Sequence, residues 1–192
     1  MAASAISICS NALIELGAAP INTFTEDGAG PRLAANLYPQ VREGILRAHA
    51  WNCAVKRVIL APVTGAPLFD YAFAFNVPVD CLKILQVGQY GAELDYRVES
   101  GQILADVSAL HLRYIWKNEN ESTYDTMLVE ALTAAMAARM AYAITGSASL
   151  AEAKKQDADF LLRQAKTIDG QDEPSLTWGN EHLRQARRSR MR

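Results

Sequence analysis

PRLAANLYPQVREGILRAHAWNCAVKRVIL, residues 31–60, contains the transition from which the fold can be read. Leu33, Leu37, Val41, Ile45 and Ala48 recur every three or four residues, which sets them on one stripe of a helix. Such a stripe needs an apolar partner, so this helix belongs to a packed bundle. Pro31 suits a first turn, where its missing N–H has no intrahelical acceptor. Pro39 falls in the interior, removes one backbone hydrogen bond at a cost of about 3 kcal/mol, and predicts a kink or two abutting helices. Beyond Trp51 the period shortens. Cys53, Val55, Val58, Ile59 and Leu60 form an apolar, β-branched run closed by Pro62, which reads as entry into a first strand.

On the N-terminal side, Ile6, Cys9, Leu13 and Leu16 predict a helix over 3–17, with Ser4 as N-cap and Gly17 as left-handed C-cap. Residues 18–30 have loop composition. On the C-terminal side the period stays near two through residues 54–117. Tyr71, Phe73, Phe75 and Val77 alternate with smaller or polar residues, as do Leu110, Leu112, Tyr114 and Trp116, while Leu82, Ile84 and Val87 mark another strand. Asp95–Val98 and Ile103–Ala105 flank Glu99-Ser100-Gly101 as a hairpin. Helix returns over 124–146, through Leu128, Ala131, Leu132, Ala135, Ala138, Arg139 and Tyr142, and over 148–168, through Leu150, Ala153, Asp157, Leu161, Ala165 and Ile168. Ser147 or Ser149 caps the last helix, which is expected to stop at Asp169-Gly170, with Asp157 at the edge of its stripe. The expected class is α+β: a bundle of about four helices with an inserted, mostly antiparallel sheet. Residues 1–169 form one domain and 170–192 an extended C-terminal tail.

Tyr38, Pro39, Val41, Arg42, Leu46, Trp51, Asn52, Ala54, Arg57 and Leu60, in their spacing, resemble the front of the tail tubular protein A family, the head-to-tail adaptors of short-tailed bacteriophages. The resemblance extends back through ELGA at 15–18 and its following loop, and forward to VPVDCLKILQV at 77–87. The helix pair from 125 to 168 matches by order and character. The resemblance implies a virion protein, made in the host bacterial cytoplasm, of which about a dozen copies form a ring around the DNA channel. The expected partners are further copies in a dodecamer, the portal, a tail nozzle or tail tubular protein B-like protein, and double-stranded DNA passing without sequence-specific contact.

Half of the 192 residues are hydrophobic, enough for one domain with a core. The apolar stretch around 127–144 is interrupted by Glu130 and Arg139 and reads as falling short of a membrane span, and the N-terminus lacks a basic leader and a cleavage site. The expectation is a protein that stays inside the cell that makes it, without membrane contact. Cys9, Cys53 and Cys81 are odd in number and far apart, which favours buried free thiols over disulfides or a metal knuckle. His49, His111 and His182 lie in different segments, each without a second ligand nearby in sequence, so no metal and no cofactor is expected. His49 reads as a partner of carbonyls at a helix end, and His111 as facing solvent from a strand. No phosphate-binding loop or nucleophile elbow occurs. A thiol enzyme pairing Cys53 or Cys81 with a histidine is a chance combination, and no enzyme is expected.

The net charge of −2 is uneven: five arginines and no acid lie in residues 184–192, leaving −7 on residues 1–183. The bland reading of that end is a solvated tail. Clustered arginine also suits phosphate, which makes a nucleic-acid-binding regulator the alternative function, although the acidic body and the lack of a recognition helix weigh against it. Trp178 and Leu183 beside Arg184, Arg187, Arg188 and Arg190 favour docking on a protein, and the resemblance implies that this protein is the portal.

Overall fold

The computed structural model describes residues 3–65, 67–89 and 93–172. The described residues form four helices and six strands in the order helix, helix, strands, helix, helix, an α+β architecture. Helix α1 spans Ala5–Glu15. Ser4 and Ser7 close a reciprocal capping box at its start, and at its end the Ala18 N–H reaches the Leu13 carbonyl while that of Gly17, at φ +74°, reaches Ile14. Helix α2, Ala29–Ala48, runs through Pro39 without interruption. The proline ring faces solvent, where water can satisfy the carbonyl it deprives, so the helix is not divided in two there. The fully buried line of α2 is Ala34, Tyr38, Arg42, Ile45 and Leu46, and Leu33, Leu37 and Val41 flank it half-buried.

After Trp51 a single 3₁₀ turn, Asn52–Ala54, leads into strand β1, Val55–Leu60. Strands β2 (Phe73–Asn76), β3 (Cys81–Val87), β4 (Tyr96–Glu99), β5 (Gln102–Ala105) and β6 (Leu110–Trp116) follow. The expected single sheet is two: an antiparallel sheet ordered β1-β6-β3 and another ordered β2-β5-β4. One face of each covers the other through Phe75, Ile103, Leu110, Leu112 and Tyr114, and the second face of the β1-β6-β3 sheet meets the helices through Ile115. The β4–β5 hairpin turns at Ser100 and Gly101, both at positive φ, with Glu99 opposite Gln102. Irregular pairing of β3 with β6 re-aims its side chains. Leu82 and Leu85 pack against the helices, whereas Ile84 and Val87 pack between the sheets.

Helix α3, Thr126–Thr145, starts on the Asp125 carboxylate, which accepts from the Met127 N–H, and ends on Gly146 at φ +69°. By length and apolar character it could cross a membrane, with a mean hydropathy of 1.4, contrary to the reading from Glu130 and Arg139. Here α1, α2 and α4 surround it and bury Leu128, Leu132, Met136 and Met140. Arg139 and Tyr142, expected on the buried face, point outward. Helix α4 spans Ala148–Asp172, with the Ser147 hydroxyl accepting from the Leu150 N–H. It passes through Gly170 and does not stop at Asp169. Its inward line is Ala151, Ala158, Leu162, Ala165 and Asp169, which keeps Ala165 of the expected stripe and is otherwise shifted by about one position, so Ala153, Asp157 and Ile168 are exposed.

Candidate functional site

The tail residues Trp178, Leu183, Arg184, Arg187, Arg188 and Arg190 lie outside the described residues, as does His182. The end of α4 from which that segment continues is tightly fixed. Asp169 is buried at 9% exposure; its carboxylate accepts from the Asn52 backbone N–H at 3.2 Å and meets His49 Nε2 at 3.1 Å. Asn52 Nδ2 in turn donates to the Asp169 carbonyl at 3.0 Å. His49 stands edge-on to Trp51, with ring centroids 4.8 Å apart, and Trp51 Nε1 donates to the Ile45 carbonyl at 2.9 Å. His49 therefore pairs with a carboxylate from another helix instead of capping its own. Sequence spacing carries no sign of this clamp, because its halves are separated by the whole sheet region.

A second polar centre ties the bundle to the sheets. Arg42, 6% exposed, donates to Glu119 at 2.6 Å and to Glu121 at 3.3 Å, and the Tyr38 hydroxyl donates to the same Glu121 oxygen at 2.9 Å. Burial, then the Glu121 carboxylate, raises the Tyr38 pKa well above the phenolic range, so this hydroxyl stays a donor. The hydrogen bond from Arg42, with its charge, holds the Glu119 carboxyl below its usual range. Glu119 also pairs with Lys117, which reaches Glu43 on α2 at 2.7 Å. Asn118, almost fully buried, donates to the Cys53 carbonyl and to Thr123 Oγ1. The Arg47 guanidinium adds a bond to the Leu82 carbonyl. These contacts join α2 to the strand ends. They form a brace, buried at Arg42 and Asn118 and open to solvent at Glu119 and Lys117.

The thiols are held protonated at neutral pH. Burial pushes Cys9 up to about 12, burial followed by the Asp169 charge pushes Cys53 up to about 11, and burial raises Cys81. Among the described residues no group of three His, Cys, Asp or Glu side chains could hold a metal ion. His111 is half-buried on the outer side of β6.

Among the described residues, apolar surface is open to a partner in separate places. Between the start of α3 and the end of α4, Met127, Phe160, Thr167 and Ile168 line a shallow groove with Arg163 at its rim. Leu68 and Phe69, on the connection between β1 and β2, are 97% and 74% exposed. Ile59 on β1 is 63% exposed. Isolated exposed apolar residues are ordinary, but grouped ones mark contact surfaces. The chain matches no known family model and no curated protein.

Proposed function

We propose that this chain is a structural virion protein, a head-to-tail adaptor whose copies form a ring between the portal and the tail nozzle around the DNA channel. The observation that carries this reading concerns the residues on which the resemblance rests. Tyr38, Arg42, Trp51 and Asn52 are joined to Glu121, Glu119, Ile45 and Asp169 by the bonds that unite bundle, sheets and the end of α4. The resemblance thus concerns the residues that set the architecture, rather than an exposed string of side chains. Two further features support the reading. The arginine-rich segment follows α4 in sequence, and Asp169 ties the end of that helix to His49 and Asn52. Apolar surface occurs on separate parts of one small domain, as a subunit with neighbours on two sides needs. The acidic balance of residues 1–183 suits a channel wall that lets DNA pass.

The test is mass by light scattering, for the protein alone and mixed with the portal ring of the phage that encodes it. Three forms are compared: the full chain, its Trp178→Ala/Leu183→Ala variant, and a chain ending at Asp172, which retains the Asp169 clamp. The full chain is expected to join the portal as a ring-sized complex, and the other two to lose that association. If all three stay monomeric in the mixture, the adaptor reading fails. Specific duplex binding lost with residues 184–192 would then favour the nucleic-acid-binding regulator.

A further inference from the structure

The outward face of α4 carries an order of chemistry, and the sequence that follows α4 carries its complement in the opposite direction. Phe160, Arg163, Gln164, Thr167 and Ile168 recur every three or four residues, so they share one stripe, turned away from the inward line of Ala158, Leu162 and Ala165. Phe160 is 54% exposed and Ile168 39%, with Met127 of α3 beside them. The groove they line holds about 470 Å³, room for one large aromatic side chain. Asp157, one turn before Phe160 on the same side of α4, is an exposed carboxylate. From the helix end backward, this face reads apolar at Ile168, basic at Arg163, apolar at Phe160 and acidic at Asp157. Forward from α4, the sequence reads apolar at Trp178, acidic at Glu181, apolar at Leu183 and basic from Arg184.

The spacings agree as well as the order. At 1.5 Å per helical residue, Arg163, Phe160 and Asp157 lie about 8, 12 and 17 Å from Ile168 along α4. Along an extended chain, Glu181, Leu183 and Arg184 lie about 10, 17 and 20 Å from Trp178. A segment slightly short of full extension therefore brings each pair level. Reach allows the reversal. Ile168 lies about 6 Å back from the end of α4, and the six residues from Asp172 to Trp178 span up to about 20 Å. Pro174, two residues past that end, has no N–H for a further helical turn, which favours leaving the axis there.

We infer that residues 174–188 fold back antiparallel on α4 of their own chain: Trp178 seats in the groove between Met127 and Ile168, Glu181 beside Arg163, Leu183 on Phe160 and Arg184 beside Asp157. The indole against a thioether and apolar side chains is the anchor, and the exposed ion pairs set direction more than affinity. The short link from Asp172 gives the groove a high effective concentration of its own segment, ahead of a second copy's. The contact is independent of the adaptor reading. Under that reading, portal and groove compete for Trp178, and docking on the portal releases the segment from α4.

Acrylamide quenching of tryptophan emission, on the full chain without a portal, tests the fold-back. The Trp178 signal is the difference between each protein and the same protein with Trp178→Phe. Trp178 is expected to be quenched at least about threefold less than free N-acetyltryptophanamide, at every protein concentration. Phe160→Ser/Ile168→Ser changes two exposed residues, so far-UV circular dichroism is expected to stay unchanged while Trp178 quenching rises to the free value. Arg163→Glu is expected to raise quenching in part, and Arg163→Glu/Glu181→Arg to lower it again. A wild-type Trp178 as open to acrylamide as the free compound, or equally shielded in the folded Phe160→Ser/Ile168→Ser variant, overturns the contact. Shielding that is lost on dilution, together with a dimer in sedimentation velocity, places the segment on a second copy and also overturns it. Because no portal is present, failure of the adaptor reading leaves these outcomes unchanged.

Discussion

Arg42 shows how far one side chain can determine a structure of this size. Its guanidinium is buried, and it is the cation facing both Glu119 and Glu121 from α2. Replacing it by methionine keeps much of the volume but leaves Glu121, whose side chain is 12% exposed, without its positive partner. Breaking a buried pair from one side costs about 3 kcal/mol. We expect Arg42→Met to lower the melting temperature by about 6–12 °C in a calorimetric scan. Glu119 predicts a pH effect of known sign. Its carboxyl is depressed below 4.5 by the Arg42 hydrogen bond and charge, so its contribution is present above pH 4.5 and fades as the pH falls through the lower folded value. The side chain is 61% exposed, which keeps the effect small. Melting curves between neutral and acidic pH should therefore fall slightly more steeply for the wild type than for Glu119→Gln. A steeper fall in the variant would contradict that pairing.

At the scale of elements, Pro39 separates what sequence could say from what it could not. The rule that an interior proline breaks a helix is sound, but it ignores which side of the helix the ring occupies. Pro39 is exposed within an unbroken α2, so Pro39→Ala should restore a backbone bond without disturbing packing. We expect it to raise stability, by up to about 3 kcal/mol, in urea titration; a loss would mean that the proline shapes the α2 surface. The existence, type and order of the helices and strands were legible, because Ser4, Gly17, Asp125 and Gly146 mark helix ends and the period-two runs mark strands. The partition of six strands into two sheets was not. It depends on β6 pairing with both β1 and β3, long-range choices that leave no local trace. The inward line of α4 was missed because Asp169, a charged residue, occupies its last buried position. Only the distant partners His49 and Asn52 make that burial favourable.

At the scale of the whole molecule, the chain brings a rigid joint, separate outward apolar surfaces and a charged terminal segment into one subunit. The joint built by Arg42, Trp51 and Asp169 ties α2 and the residues after it to the connection between β6 and α3 and to the end of α4. The candidate docking arm was legible as composition, since five arginines close an otherwise acidic chain. Its exit point was not, because the sequence places the helix end at Asp169 whereas α4 continues to Asp172. We propose above all that copies of this chain close into a ring on a portal. The most direct test is electron microscopy of the full chain mixed with the portal ring of its own phage. We expect a second ring of about a dozen subunits stacked coaxially on the portal; bare portals beside free monomers would contradict the adaptor function.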